Sequence, residues 1–255
     1  MEQWNAVGSL VEQLKKDKAV RAIFLKGSLA REDWDQFSDI DLYCLVHEIE
    51  LDSFLTRRLA CLEEYAPLLF WTEVNFVGPQ IVAVFENGLH VDLYTVTAET
   101  LQQTDVVKVL YDPEELLGDY AAKSFPLSSE AVLRTFNSLA FSLLEFAAAF
   151  NRGNLIWASR LASHISSDIV LLLRYIYDPE RAQLGFKRVD KYVPADTYQA
   201  VSDALDNIGP TKLPHGLVTL LDLLEELIPS LPAEIKENLN LAFYNFTAEI
   251  VRQLK

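Results

Sequence analysis

Apolar positions along this chain alternate between helical and strand spacing in its first part and keep helical spacing past Pro126. Trp4, Val7, Leu10, Val11 and Leu14 recur at helical spacing and predict an opening amphipathic helix. Val20 to Leu25 is a short apolar run that stops at Gly27 and reads as a strand. Ser28 is placed to start a short helix, and Asp39 to Val46 forms the next strand. Leu51, Phe54, Leu55, Leu59 and Leu62 predict a second amphipathic helix. Two further strands, Leu68 to Val77 and Ile81 to Glu86, are joined through Gly78-Pro79. Asn87-Gly88 then matches a type I′ hairpin turn and returns the chain as Leu89 to Val96.

Past Pro126 the pattern is helical throughout. Leu127 to Phe150, Leu155 to Tyr177, Thr197 to Ile208, Leu217 to Ile228 and Ala233 to Leu254 read as helices. Breaks fall at Gly153, Asp178-Pro179, Gly209-Pro210 and Pro229 to Pro232. The expected class is α+β: a mixed sheet flanked by helices over residues 1–120, then an all-α bundle over 127–255. Asp119 to Ser129 is the expected junction.

Composition narrows the options. Half of the 255 residues are apolar and 23% are charged, as in a folded protein. No apolar run reaches the roughly 18 residues of a membrane span, and the N-terminus lacks the pattern of a signal peptide. A cytoplasmic protein is expected, with Cys44 and Cys61 as buried, reduced thiols. The net charge of −15 weighs against a nucleic-acid partner and suits a cationic one.

The chemistry concentrates between Lys26 and Leu45. Gly27-Ser28 follows a strand and opens a helix, where backbone N–H groups, a serine hydroxyl and close backbone approach suit phosphate oxygens. Twelve residues on, Asp39 and Asp41 alternate on one face of a strand whose Ile40 and Leu42 point the other way. Carboxylates that close resist joint ionisation unless a cation lies between them. A divalent-metal site beside a phosphate-binding turn follows.

Gly27, Ser28, Ala30, Arg31, Ser38, Asp39, Ile40, Asp41 and Leu42 together resemble the signature of the nucleotidyltransferase superfamily. Val84 to Leu93 is similar to the corresponding stretch of the streptomycin-type (6-position) aminoglycoside adenylyltransferases. The resemblance implies Asp39 and Asp41 as Mg²⁺ ligands, with two ions when nucleotide is bound, and a third carboxylate on a neighbouring strand. Asp92 is the first choice for that acid. Glu73 is the rival, because Glu73 to Phe76 resembles the strand that supplies it in kanamycin-type relatives. Gly185 to Tyr192 resembles a Gly-Lys segment near the nucleotide, which implies a phosphate role for Lys187 or Lys191. Gly27, Ser28, Arg31 and Ser38 complete the implied nucleotide site.

Arg174 is expected either at the cleft or as a structural ion-pair partner, and His90 either lines the cleft or packs. Many relatives have glycine where this chain has Glu32, which is followed by Asp33 and Asp35. The implied activity is Mg²⁺-dependent transfer of a nucleoside monophosphate, from ATP or another nucleoside triphosphate, to a hydroxyl of a small cationic acceptor. A protein-modifying adenylyltransferase and a non-catalytic, antitoxin-like or regulatory module are the alternatives.

Overall fold

A computed structural model describes residues 2–75, 78–122 and 126–254. The chain divides into two compact units, residues 1–124 and 125–255.

In the first unit the elements run α1 (Glu2–Leu14), β1 (Val20–Leu25), α2 (Gly27–Arg31), β2 (Ile40–Val46), α3 (Leu51–Leu55) and α4 (Arg58–Glu63). Strands β3 (Leu68–Asn75), β4 (Pro79–Phe85), β5 (His90–Val96) and β6 (Lys108–Tyr111) follow. They form one mixed sheet in the order β3-β4-β5-β2-β1-β6. Strands β2 and β5 lie side by side and parallel, and the other pairs are antiparallel.

Alternation gives the two sheet faces different tasks. Ile23, Leu25, Ile40, Leu42, Cys44, Ile81, Ala83, Val91 and Leu93 share one face and pack with Leu10 and Leu14 of α1 and Leu62 of α4. On the other face a smaller core of Ala22, Phe24, Leu45, Val96 and Leu117 covers only part of the sheet. The remainder of that face carries Asp41, Asp92, Thr72 and Gln80 among Phe70, Val74, Val82 and Val84.

Two expected helices are broken in the structure. The 51–62 helix is interrupted between α3 and α4, at Thr56 and Arg57, where Arg57 turns outward to Asp17 and Arg58 turns inward beneath the sheet. The 233–254 helix divides into α10 (Ala233–Lys236) and α11 (Leu241–Arg252), because Asn240 accepts the Phe243 amide and caps a new start. Strand β6 and the short α7 below were not anticipated. Phe76 and Val77, at the end of the expected third strand, lie outside the described residues.

The second unit is helical. It contains α5 (Ser129–Asn151), α6 (Leu155–Tyr177), α7 (Val189–Tyr192), α8 (Ala195–Leu205), α9 (His215–Leu227), α10 and α11. Apolar faces of α5, α6, α9 and α11 meet around Phe136, Leu143, Leu173, Leu221 and Tyr244. No helix among the described residues is long and apolar enough to cross a membrane.

Candidate active site

Strand register assembles the site. Asp41 of β2 stands directly opposite Asp92 of β5 in the parallel pair. In-register neighbours point to the same face, about 4.8 Å apart along the sheet. Asp39 lies one residue before β2 and His90 opens β5, so both stand at the same edge. The His90 imidazole bridges them: Nε2 is 3.1 Å from Asp92 Oδ1 and Nδ1 is 3.9 Å from Asp39 Oδ2. Beyond the acids on that face come Tyr43 and Tyr94, stacked with ring centres 4.3 Å apart. Burial raises the Tyr94 phenol, and the charges of Asp41, Asp92 and Asp39 raise it further.

Gly27 closes the site from β1. Its φ is +67°, and a Cβ there would lie 1.9 Å from Asp41 Oδ2, so only glycine lets the turn approach the carboxylate. The next residue, Ser28, has a buried hydroxyl with no hydrogen-bond partner among the described residues. Ser38 accepts the Asp35 amide at 2.9 Å and so stiffens the loop that leads to Asp39. Arg31 pairs with Asp105 and, at 3.5 Å, with Asp33.

Glu32 caps α2 with φ +63°, in the left-handed region that favours glycine. Its side chain is exposed and reaches Lys108 at 3.3 Å. Asp35 accepts the Phe37 amide. Glu32, Asp33 and Asp35 thus each make contacts at the turn or its flanks.

Glu73 is not brought to the other acids. It registers with Ile81, which registers with Leu93 and Leu42, placing it on the face opposite Asp41 and Asp92. There it lies 3.4 Å from the buried guanidinium of Arg58, which also donates to Thr95 Oγ1 and to the Pro79 carbonyl.

Lys187 and Lys191 lie in the second unit, on the segment from Gly185 through α7. Arg174 organises that segment. Fully buried, its guanidinium donates to the carbonyls of Gly185 and Lys187, pairs with Asp178 at 3.1 Å and lies over the Tyr192 ring. Of the two expectations for Arg174, the structural partner is the one observed.

Two participants escaped sequence reading. Lys26 is buried at the end of an apolar strand. Its Nζ donates to the Gln102 carbonyl at 2.7 Å and lies 5.0 Å from the Tyr43 ring centre. Burial lowers its pKa to about 8, against a smaller opposing effect of Asp105. A lone lysine between Leu25 and Gly27 was the available signal. The other is Gln3, on α1, considered below.

The donor set suits a hard divalent cation, being carboxylate oxygens from neighbouring strands beside a cradle that a Cβ would fill. Among the described residues no three His, Cys, Asp or Glu side chains already stand as a closed metal cage. Here His90 lies between Asp39 and Asp92.

The family model for streptomycin adenylyltransferase matches residues 4–253, spanning both units. The chain belongs to that family. As a streptomycin adenylyltransferase family member it is a nucleotidyltransferase. No curated protein matches the sequence. Among solved structures it is similar to an aminoglycoside 6-adenyltransferase from Bacillus subtilis, at 11% identity and TM-score 0.40, over 95% of this chain and 96% of that one. A spectinomycin adenyltransferase from Enterococcus faecialis, solved with ATP and spectinomycin, matches at 13% identity and TM-score 0.33 over 99% of both chains. A nucleotidyltransferase-like protein from Exiguobacterium sibiricum matches at 13% identity and TM-score 0.38, over 89% of this chain and 76% of that one.

Proposed function

We propose that this family member transfers a nucleoside monophosphate from ATP, or another nucleoside triphosphate, to a hydroxyl of a small cationic, aminoglycoside-like acceptor. The observation that carries the reading is the register of Asp41 against Asp92 beside Gly27-Ser28. Asp39, Asp41 and Asp92 would hold Mg²⁺, which when bound supplies charge neutralisation on the triphosphate.

The protein's own groups do the rest. The Gly27 turn admits the triphosphate close to Asp41, and the Ser28 hydroxyl donates to a phosphate oxygen. The acceptor oxygen forms a bond to the α-phosphorus while the bond from that phosphorus to the pyrophosphate oxygen breaks, and pyrophosphate leaves in line. A carboxylate oxygen of Asp92 takes the hydroxyl proton, with His90 Nε2 orienting that carboxylate.

The test is incubation with α-labelled ATP or GTP, Mg²⁺ and a panel of aminoglycosides. A labelled aminoglycoside is the expected product. Labelled protein would instead point to protein modification, and no labelled product to a binding role.

A further inference from the structure

Asp39 lies outside the strand, at the end of a loop, and something must hold that loop. Gln3 does so from the first turn of α1. Only 4% exposed, its Nε2 donates to the carbonyls of Gln36 at 3.0 Å, Asp35 at 3.3 Å and Ser38 at 3.4 Å. Three carbonyl acceptors require the nitrogen of the amide to face them, since the oxygen would be repelled. The bonds reach across more than thirty positions of sequence, and the last ends on the peptide that joins Ser38 to Asp39. The start of α1 and the loop border one open cleft, whose lining includes Glu2, Gln3, Phe37, Asn87 and His90. Support therefore comes from α1, while Asp39 faces His90.

We infer that Gln3 is a positioning residue: by fixing the carbonyls of Asp35, Gln36 and Ser38 it sets the Asp39 carboxylate against the Asp41/Asp92 pair, and so completes the cation site. The inference rests on the transferase reading for the use of that site, but its main readout is cation binding. The chemistry needs an amide donor of glutamine length. Leucine at this position would satisfy a helix start equally well but would remove this donor from all three carbonyls, leaving that of Asp35 with the Ser38 amide.

The experiment compares the full chain with Gln3→Glu, which keeps the shape and reverses the polarity, and Gln3→Met, which keeps the volume and removes the donor. Mn²⁺ binding is followed by the free-ion electron paramagnetic resonance signal. Melting temperature, kcat and KM are measured on the same samples. In folded variants the Mn²⁺ dissociation constant should rise about tenfold and kcat should fall about tenfold to a hundredfold, with KM for the acceptor little changed. Met is the fallback should the Glu variant not fold. A folded variant that binds Mn²⁺ and turns over like wild type, merely melting earlier, overturns the inference. So does a wild-type chain that binds no Mn²⁺. If wild type binds Mn²⁺ but transfers nucleotide to no acceptor, while the variants bind the ion more weakly, the transferase reading fails and the role of Gln3 stands.

Discussion

Gly27 and Asp41 act as one unit, because the carboxylate occupies the space a side chain at Gly27 would need. Gly27→Ala should cost about 1–2 kcal/mol of stability from its left-handed backbone and should also displace Asp41. Turnover should fall at least about a hundredfold, while Asp41→Asn should lower kcat about a thousandfold with the near-ultraviolet circular dichroism unchanged. Steady-state kinetics on both variants checks this; an active, well-folded Gly27→Ala would show that the close approach is not used. Lys26 gives a second prediction with a definite sign. Its pKa falls from 10.5 in the unfolded chain to about 8 when folded. Between those values the unfolded chain holds more protons, so the contribution of Lys26 to stability rises with pH from about 8 and is complete above 10.5. Relative to Lys26→Met, wild type should gain on the order of 1–2 kcal/mol between pH 8 and 10, read by denaturant titration at each pH.

At the scale of elements, strand register separates the two candidate third acids. Asp92 shares a face and a row with Asp41, whereas Glu73 faces α4 and partners Arg58. Asp92→Asn should therefore abolish nearly all turnover. Glu73→Gln should leave kcat within about threefold of wild type and cost at most about 1 kcal/mol, because the Glu73 side chain is 60% exposed. Side-by-side kinetics and melts decide the pair. Much of this was legible beforehand: the alternation of Asp39 and Asp41 was local, and Asn87-Gly88 marked where β5 begins. The parallel pairing of β2 with β5 was not legible, since it depends on β3 and β4 adding as an antiparallel pair beyond β5. The four residues of β6 carry too little pattern to announce a strand against the far edge of β1. Gln3 was equally silent, because a glutamine in a first helical turn is ordinary until its carbonyl partners, distant in sequence, are known. The breaks near Thr56 and Asn240 were hidden because the apolar period continues across both.

At the scale of the whole molecule, charge supplies a prediction about the acceptor. The chain carries a net charge of −15, and Asp41 and Asp92, with Asp39 just before β2, add a local negative field. Such a field raises the encounter rate and local concentration of a polycation, and salt screens it over a length of about 8–10 Å near physiological ionic strength. The bond-making step lies inside the site, where screening by mobile ions is weaker. Raising KCl from about 50 to 300 mM should therefore increase KM for a polycationic aminoglycoside several-fold and leave kcat nearly unchanged. KM for the nucleoside triphosphate, an anion approaching the same surface, should stay flat or fall over that range. Initial-rate measurements at four or five salt concentrations, varying one substrate at a time, give both trends. A KM for the cationic acceptor that ignores salt would mean that local contacts, and not the acidity of the chain, govern its capture.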